Sequence, residues 1–178
     1  MNVLMINGSP KPNGNTAIAL REMEQIFVQE GIQVETVHVG NRDIRGCIGC
    51  NKCMEAGKCV FDDLVNETAP KFEACDGLVV GTPVYYASAN ATLVAFLTRL
   101  FYSTHFDKTM KVGAAVAAAR RGGLTATYDE LNKFSASPAC PSPPASTGTA
   151  STAGNPARPP RTRRASRACA PWPGTWSS

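Results

Sequence analysis

The chain has 178 residues, enough for one ordinary domain with a hydrophobic core, and a formal net charge of +4. Five of its 18 basic residues and none of its 14 acidic residues lie in residues 135–178, so residues 1–134 carry 13 basic and 14 acidic side chains. This nearly neutral body gives no reason to expect nucleic acid or an anionic membrane as a partner.

No apolar run reaches the roughly 18 to 20 residues of a membrane helix. The first residues also lack the basic flank and the length of a signal peptide. We therefore expect a cytoplasmic protein, in which cysteines serve as thiols, metal ligands or redox groups rather than as structural disulfides.

Short apolar runs alternate with amphipathic segments along residues 1–134. Strands are predicted at residues 2–6, 33–39, 78–80 and 111–118. Helices are predicted at residues 15–30, 62–72, 92–101 and 122–134. We expect Asn15 or Thr16 to cap the first helix and Asp62 or Asp63 the second. The alternation predicts an α/β domain over residues 1–134, a doubly wound parallel sheet with ligands at the carboxyl ends of its strands.

The composition changes abruptly at Ser135. Residues 135–178 hold nine of the 13 prolines and contain no Leu, Ile, Val, Met, Phe or Tyr. Such a segment cannot bury enough apolar surface to offset the entropy of ordering, so it is predicted to be a disordered tail. The last strand and the last helix of the fold are therefore expected to be missing.

A shift of the reading frame would explain this tail. Read one nucleotide earlier, within the degeneracy of the genetic code, residues 139–141 permit Gly-Met-Pro and residues 146–152 permit Gln-Tyr-Trp-Asn-Ser-Val-His. Such an apolar and aromatic segment suits the missing strand and the loop after it. The alternative is a natural proline-rich linker, and the gene sequence compared with close relatives distinguishes the two.

The loop between the first strand and the first helix is suited to a phosphate group. Residues 7–16 read Asn-Gly-Ser-Pro-Lys-Pro-Asn-Gly-Asn-Thr, and they combine backbone amides at a helix N-terminus with hydroxyl, amide and ammonium groups. The segment has neither a Gly-x-Gly-x-x-Gly pattern nor a Gly-Lys-Ser/Thr pattern, so a mononucleotide fits better than a dinucleotide or a nucleoside triphosphate. An ordinary polar loop would share this composition.

Two motifs resemble those of the NADPH-dependent FMN reductase and iron–sulfur flavoprotein family, whose fold is flavodoxin-like. They are Gly8-Ser9-Pro10-Lys11 with Asn15-Thr16, and Gly81-Thr82-Pro83-Val84-Tyr85-Tyr86. The resemblance runs from Met1 to about Phe134. It implies FMN as a cofactor, NAD(P)H as the electron donor, and a dimer or tetramer where the fold is intact.

The resemblance also implies three groups of FMN-binding residues. The phosphate is expected at Ser9, Lys11, Asn13, Asn15 and Thr16. The isoalloxazine ring is expected along Pro83, Val84, Tyr85 and Tyr86, with Ala87 and Ser88 nearby. Residues 119–123 resemble the third flavin loop of the family, in which Arg120 or Arg121, beside Gly122, would stabilise an anionic reduced flavin. The alternative for the arginine pair is a solvated loop. The alternative for the tyrosines is packing at the start of a helix.

Four cysteines lie close together in the segment of about residues 46–60. Cys47, Cys50, Cys53 and Cys59 have the spacing C-x2-C-x2-C-x5-C, which is typical of ligands that wrap a [4Fe–4S] cluster and resembles the motif of iron–sulfur flavoproteins. Thiol or disulfide chemistry and a zinc site are the alternatives, although zinc usually takes two separated Cys-x2-Cys pairs. Because loops after successive strands meet at one edge of a parallel sheet, we expect the cluster beside the flavin.

These features predict an FMN-dependent oxidoreductase that passes electrons from NAD(P)H to a quinone, a flavin or a redox protein, with or without a [4Fe–4S] cluster on the way. No catalytic side chain is assigned, because the protein's task is to position and tune the flavin. The alternatives are a non-enzymatic electron carrier, an FMN reductase whose cysteines hold no cluster, and a damaged gene product that folds poorly.

Overall fold

The computed structural model of the chain describes residues 1–135 and 151–152. Its strands are β1 (Asn2–Asn7), β2 (Gln33–His38), β3 (Gly77–Tyr85), β4 (Ser88–Ala89), β5 (Val112–Ala119) and β6 (Ser151–Thr152). Its helices are α1 (Asn15–Gln29), α2 (Cys53–Ala56), α3 (Leu64–Ala74), α4 (Ala91–Ser103) and α5 (Leu124–Ser135). All eight strands and helices predicted for residues 1–134 are present, and all but the third strand lie within two residues of their predicted bounds.

The strands are arranged in the order β2-β1-β3-β5-β6, and all pairs along this path are parallel. This is the strand order of flavodoxin-like sheets, in which the chain reverses direction across the sheet between β1 and β3. The predicted fold class is thereby confirmed. In such a sheet, ligands bind outside the carboxyl ends of the strands next to that reversal.

Apolar side chains of the central strands alternate between the two faces of the sheet. Leu4, Ile6, Leu78 and Val80 point to a large core that also contains side chains from α3, α4 and α5. The intervening residues of β1 and β3 pack with Leu20 of α1 in a much smaller core. Within the part of the chain that the structure describes, α1 is the only helix on that second face, so the second layer is thinly covered.

The starts of two helices differ in how they are capped. Asp63 caps α3 as predicted, accepting a hydrogen bond from the backbone nitrogen of Val65 at 3.1 Å. The predicted cap of α1 at Asn15 or Thr16 is wrong, because Gly14 occupies that position and no side chain caps the helix. Thr16 is instead buried, and its methyl group packs near Gly81.

The third strand is longer than the sequence predicts. It continues beyond residue 80 to Tyr85 and then folds back, so that Val84 and Tyr85 pair with Ala89 and Ser88 in an antiparallel hairpin. Only two residues, Tyr86 and Ala87, connect the two strands. Periodicity could not indicate β4, because two residues are too few to show it.

Residues 151–152 form a two-residue strand at the edge of the sheet, where Ser151 and Thr152 pair with Ala118 and Ala119. This is the place of the fifth parallel strand, which was expected to be missing. The predicted disorder of the remaining tail and the reading-frame hypothesis concern residues outside those described. No described helix is both long enough and apolar enough to cross a membrane.

Candidate functional site

The loop after β1 is held between the ends of its two neighbouring strands. The backbone nitrogen of Gly8 donates to the carbonyl oxygen of Gly81 at 2.7 Å, and that of Val39 donates to Asn7 at 2.8 Å. His38 Nε2 lies 2.6 Å from the carbonyl oxygen of Ser9, so this nitrogen carries the hydrogen. A side chain at Gly40 would overlap the backbone of Ser9, which explains why glycine is needed there.

The same loop turns tightly before α1 begins. Asn7 Oδ1 accepts a hydrogen bond from the nitrogen of Ser9 at 3.0 Å, and Ser9 Oγ accepts one from the nitrogen of Lys11 at 3.2 Å. Because α1 has no side-chain cap, its first backbone N–H groups are left to an external acceptor. All five residues predicted to hold a phosphate lie here: Ser9 and Thr16 are buried, whereas Lys11, Asn13 and Asn15 are exposed.

Asn90 connects this loop to β3 and α4. Its Nδ2 donates to the carbonyl oxygen of Gly8 at 2.7 Å, its Oδ1 caps α4 at the nitrogen of Thr92, and its backbone nitrogen donates to Thr82 Oγ1 at 3.0 Å. Asn90 was not predicted to belong to the site. Its position directly before an apolar helix indicates that it caps the helix, but nothing in the sequence indicates that it contacts the first loop.

The hairpin of β3 and β4 projects two aromatic side chains at this edge of the sheet. Tyr86 and Ala87 form its turn with φ of 50° and 59°, the left-handed pair that a two-residue hairpin of type I′ requires. Tyr85 is 48% exposed and Tyr86 is fully exposed. Pro83 and Val84 are half-buried, and Ser88 donates to Glu130 Oε2 of α5 at 2.8 Å.

The loop after β5 contacts the turn of this hairpin. Gly123 has φ of +94°, and a Cβ atom there would lie 2.7 Å from the Cα of Ala87. Arg120, Arg121 and Gly122 directly precede it and are all exposed. The structure thus brings the three predicted flavin loops to one edge of the sheet, because the first loop contacts Gly81 and the loop after β5 contacts Ala87.

The four cysteines of the motif line one cavity. Cys47 and Cys50 are exposed and Cys53 and Cys59 are half-buried, and the cavity is also lined by Arg99, Tyr102 and Ser103 of α4. Left-handed backbone at Gly49, Asn51 and Gly57 curves the segment around the cavity. All five cysteines among the described residues, including buried Cys75, are free thiols.

Arg99 is the largest fully buried side chain among the described residues, and its guanidinium contacts Cys59. Its Nε and one terminal nitrogen each donate to Cys59 Sγ at 3.2 Å. Its two terminal nitrogens also donate to the two oxygens of Asp63, at 2.7 and 3.0 Å. Burial lowers the pKa of Arg99, but the hydrogen bonds to Asp63 and Cys59 outweigh burial and raise the pKa above its ordinary value.

The cavity does not lie beside the flavin loops, and the prediction that it would is wrong for a single chain. Asn90 contacts the first loop at the start of α4, whereas Ser103 lines the cavity at the end of that helix. At 1.5 Å per residue these two positions are about 20 Å apart along the helix axis. The segment after β2 is long enough to carry the cysteines down the side of the domain.

The contents of the cavity fit an anionic sulfur cluster. Besides the four thiols, it is lined by Arg99, which directs two N–H donors at Cys59, and by Ser103, whose buried Oγ has no hydrogen-bond partner among the described residues. Among the described residues, no three His, Cys, Asp or Glu side chains converge on a point that could hold one metal ion. The thiolates of a cubane need not converge in this way, because each binds a different iron.

Comparison with known proteins points to one family. The profile of the family described as NADPH-dependent FMN reductase matches residues 1–153, well over half of the chain and further than Phe134. An iron–sulfur flavoprotein of Methanocaldococcus jannaschii is 38% identical over 137 residues, which are 75% of this chain and 71% of that protein. An iron–sulfur flavoprotein of Methanosarcina thermophila is 31% identical over 74% of this chain and 71% of its own length.

Solved structures share the fold. RosB, crystallised with 8-demethyl-8-formylriboflavin-5'-phosphate, is similar with a TM-score of 0.65 at 18% identity, over 87% of this chain and 67% of RosB. An NAD(P)H:quinone oxidoreductase of Methanothermobacter marburgensis gives a TM-score of 0.55 at 14% identity, over 77% of this chain and 71% of that protein. At these identities the likeness concerns the flavodoxin-like fold alone.

Proposed function

This chain belongs to the NADPH-dependent FMN reductase family of oxidoreductases, and from that membership we propose that it binds FMN and passes electrons from NAD(P)H to an acceptor. The observation that carries the proposal is the meeting of three loops, after β1, β3 and β5, at one edge of the sheet. This edge lies at the strand-order reversal where flavodoxin-like sheets take their ligands.

The first loop would hold the phosphate of FMN. The first N–H groups of α1 have no side-chain cap, and both these groups and the positive end of the helix dipole favour an anion. Lys11 adds a full positive charge, and Ser9, Asn13, Asn15 and Thr16 add side-chain hydrogen-bonding groups around the same turn. Asn90 and His38 do not belong to this set, but they fix the backbone of Gly8 and Ser9.

The hairpin and the loop after β5 would hold the flavin ring. Tyr85 and Tyr86 offer exposed aromatic surface, and Pro83, Val84, Ala87 and Ser88 supply backbone and small side chains beside it. Arg120 and Arg121 would place positive charge where a reduced flavin carries negative charge. When bound, FMN supplies the chemistry that takes a hydride from NAD(P)H and releases its two electrons singly or together.

Two measurements test this function. Fluorescence quenching of FMN on addition of the purified chain gives the dissociation constant, and anaerobic loss of NADPH absorbance with a quinone gives turnover. We expect Lys11→Gln to weaken FMN binding. The control is Lys71→Gln on α3, which removes an exposed ion pair with Glu35 of β2 and should leave FMN binding unchanged. Bound FMN without turnover on any acceptor would instead indicate a non-enzymatic electron carrier.

A second proposal concerns the cysteine cavity, which we infer holds a [4Fe–4S] cluster on Cys47, Cys50, Cys53 and Cys59. Support comes from the common cavity of the four thiols and from the donors directed into it. When bound, a cubane cluster accepts one electron at a time and so suits a one-electron partner.

Iron and sulfide analysis of anaerobically prepared protein tests the cluster. Cys50→Ser should reduce the iron content sharply, whereas Cys75→Ser, at a buried cysteine outside the cavity, should not. One zinc per chain, or thiols without metal, would contradict the cluster and favour one of the two alternative uses of these cysteines.

We also propose that the protein assembles into a homo-oligomer. Ile48, Val60 and Tyr102 line the cysteine cavity, and Met54 directly follows Cys53 in the same segment; each of these four side chains is between 45% and 60% exposed. Exposed apolar side chains grouped in one segment and beside one cavity are typical of an interface. Sedimentation velocity should show a dimer or tetramer, and Met54→Lys should shift it toward the monomer. The electron acceptor would be a small molecule or another redox protein.

A further inference from the structure

We propose that Arg99 and Ser103 are positioning residues that donate hydrogen bonds to the sulfur atoms of the cluster and raise its reduction potential. The inference rests on the proposed [4Fe–4S] cluster, and it assigns roles to two side chains outside the cysteine motif. Both residues lie in the last two turns of α4 and line the cysteine cavity. Their chemistry is the same, because each offers a buried hydrogen-bond donor to an acceptor that is rich in electrons.

The guanidinium of Arg99 is oriented toward a sulfur atom of the cysteine motif. It is 1% exposed, and its planar guanidinium points Nε and one terminal nitrogen at Cys59 Sγ, both at 3.2 Å. The carboxylate of Asp63 binds both terminal nitrogens from the other side, so the buried positive charge has a counter-charge. A lysine could not replace Arg99, because a single ammonium group cannot donate one pair of hydrogen bonds to Cys59 and a second pair to Asp63.

Ser103 supplies the second, independent observation. It is 2% exposed, and its Oγ is the only buried side-chain nitrogen or oxygen among the described residues that has no hydrogen-bond partner. A serine at a helix end commonly bonds the carbonyl four residues back, as neighbouring Thr104 does with Leu100 at 2.7 Å. Ser103 makes no such bond and lines the cavity together with the four cysteines, so we assign its hydroxyl to an acceptor there.

The effect on the potential follows from charge. Reduction of a bound cluster by an external one-electron donor such as dithionite would break no bond, and the added negative charge would spread over the sulfur atoms. Hydrogen bonds to these atoms stabilise the reduced form more than the oxidised form, so they raise the reduction potential. Arg99 and Ser103 act in the same direction, from the same side of the cavity.

A redox titration of the reconstituted full chain tests the inference, with dithionite as the reductant and the signal of the reduced cluster as the readout. Ser103→Ala and Arg99→Lys should each shift the midpoint potential to more negative values. Thr98→Ala, which removes a hydroxyl from α4 outside the cavity, should not shift it. Unchanged potentials in both test variants, or a positive shift, would overturn the inference.

A second measurement remains informative if Arg99→Lys fails to fold. In the cluster-free protein, Ser103→Ala should unfold at the same urea concentration as the wild type or at a higher one, because the lost hydroxyl has no protein partner. A lower midpoint would mean that the hydroxyl already has one, and would overturn its role. A wild-type chain that takes up no iron and sulfide contradicts the cluster itself, whereas a loaded cluster with unaltered potentials contradicts only this inference.

Discussion

Asn90 Nδ2 donates a hydrogen bond to the carbonyl oxygen of Gly8 at 2.7 Å, across 82 positions of sequence. The same amide group accepts from the nitrogen of Thr92 at the start of α4. One buried side chain therefore fixes both a helix start and the loop that would hold the FMN phosphate. The two roles use different atoms, and substitution can separate them.

We expect Asn90→Asp to lower the free energy of unfolding by about 1–3 kcal/mol and to weaken FMN binding. The aspartate keeps the capping oxygen but sets a second acceptor against the Gly8 carbonyl, which loses its buried donor. Asn90→Ala should cost about 1 kcal/mol more, because it also removes the cap. Urea unfolding and FMN titration of both variants check this. A wild-type result for Asn90→Asp would show that the Gly8 contact does not hold the loop.

Gly40→Ala should destabilise the protein by about 3 kcal/mol, because a Cβ atom there meets backbone atoms of Ser9 and Gly8 that cannot move independently. Gly46→Ala is the matched control. A Cβ atom at Gly46 would have no non-neighbouring atom within 4 Å, so the free energy of unfolding of the Gly46→Ala variant should stay within about 0.5 kcal/mol of the wild type. Equal unfolding midpoints for the two variants would contradict the close approach of Gly40, two residues after β2, to the first loop.

The main elements of the fold could be predicted from sequence because their patterns are local. The apolar run of β1 and the apolar stripe of α4 each show the period of their own structure over enough residues to be recognised. The hairpin strand β4 and the four-residue helix α2 are too short to show any period. The uncapped start of α1 was also missed, because Asn15 and Thr16 are good capping residues whose register is decided by packing against β3.

The contacts behind the site could not be predicted, because they join distant parts of the chain. Arg99 interrupts an apolar segment, which marks it as unusual, but its partner Asp63 lies 36 residues away and Cys59 lies 40 away. Cysteine spacing predicted that the four thiols share one cavity. It could not predict that the cavity lies at the end of α4 rather than beside the flavin loops, since spacing carries no information about where a long segment packs.

Tyr86→Ala should weaken FMN binding by up to about tenfold while leaving stability within about 0.5 kcal/mol of the wild type. Tyr86 is 106% exposed at the tip of the hairpin turn, so it contributes no packing to the unliganded fold. Met110→Ala is the control, since Met110 is 82% exposed outside the flavin loops. FMN titration and urea unfolding are measured for both. An unchanged dissociation constant for Tyr86→Ala would exclude this ring from the flavin contact.

Cys75 should make the stability fall at alkaline pH. Burial raises the pKa of its thiol, and the nearby charge of Lys111 only partly offsets this. Below the ordinary thiol pKa of about 8.5, the folded and unfolded states are both protonated. Above it the unfolded state loses its proton first, so stability declines as pH rises toward the folded-state pKa. Cys75→Ala should show a smaller decline between pH 8 and 10 under reducing conditions. Identical pH profiles would contradict the raised pKa.

Glu130 offers a test of whether the hairpin must be held in place for flavin to bind. Its Oε2 accepts hydrogen bonds from Ser88 Oγ and from the nitrogen of Ala89, both at 2.8 Å, and so ties α5 to β4. Glu130→Ala leaves the backbone nitrogen of buried Ala89 without its acceptor, and we expect a loss of about 1–3 kcal/mol in unfolding free energy.

Glu130→Gln keeps one acceptor oxygen and should lose less, whereas Asp129→Ala, at the exposed neighbouring position on α5, should lose nothing measurable. If the tie positions the turn at Tyr86 and Ala87, the dissociation constant of FMN should rise in the order Asp129→Ala, Glu130→Gln, Glu130→Ala. A Glu130→Ala protein that is destabilised but binds FMN as tightly as the wild type would show that the flavin itself can order the hairpin.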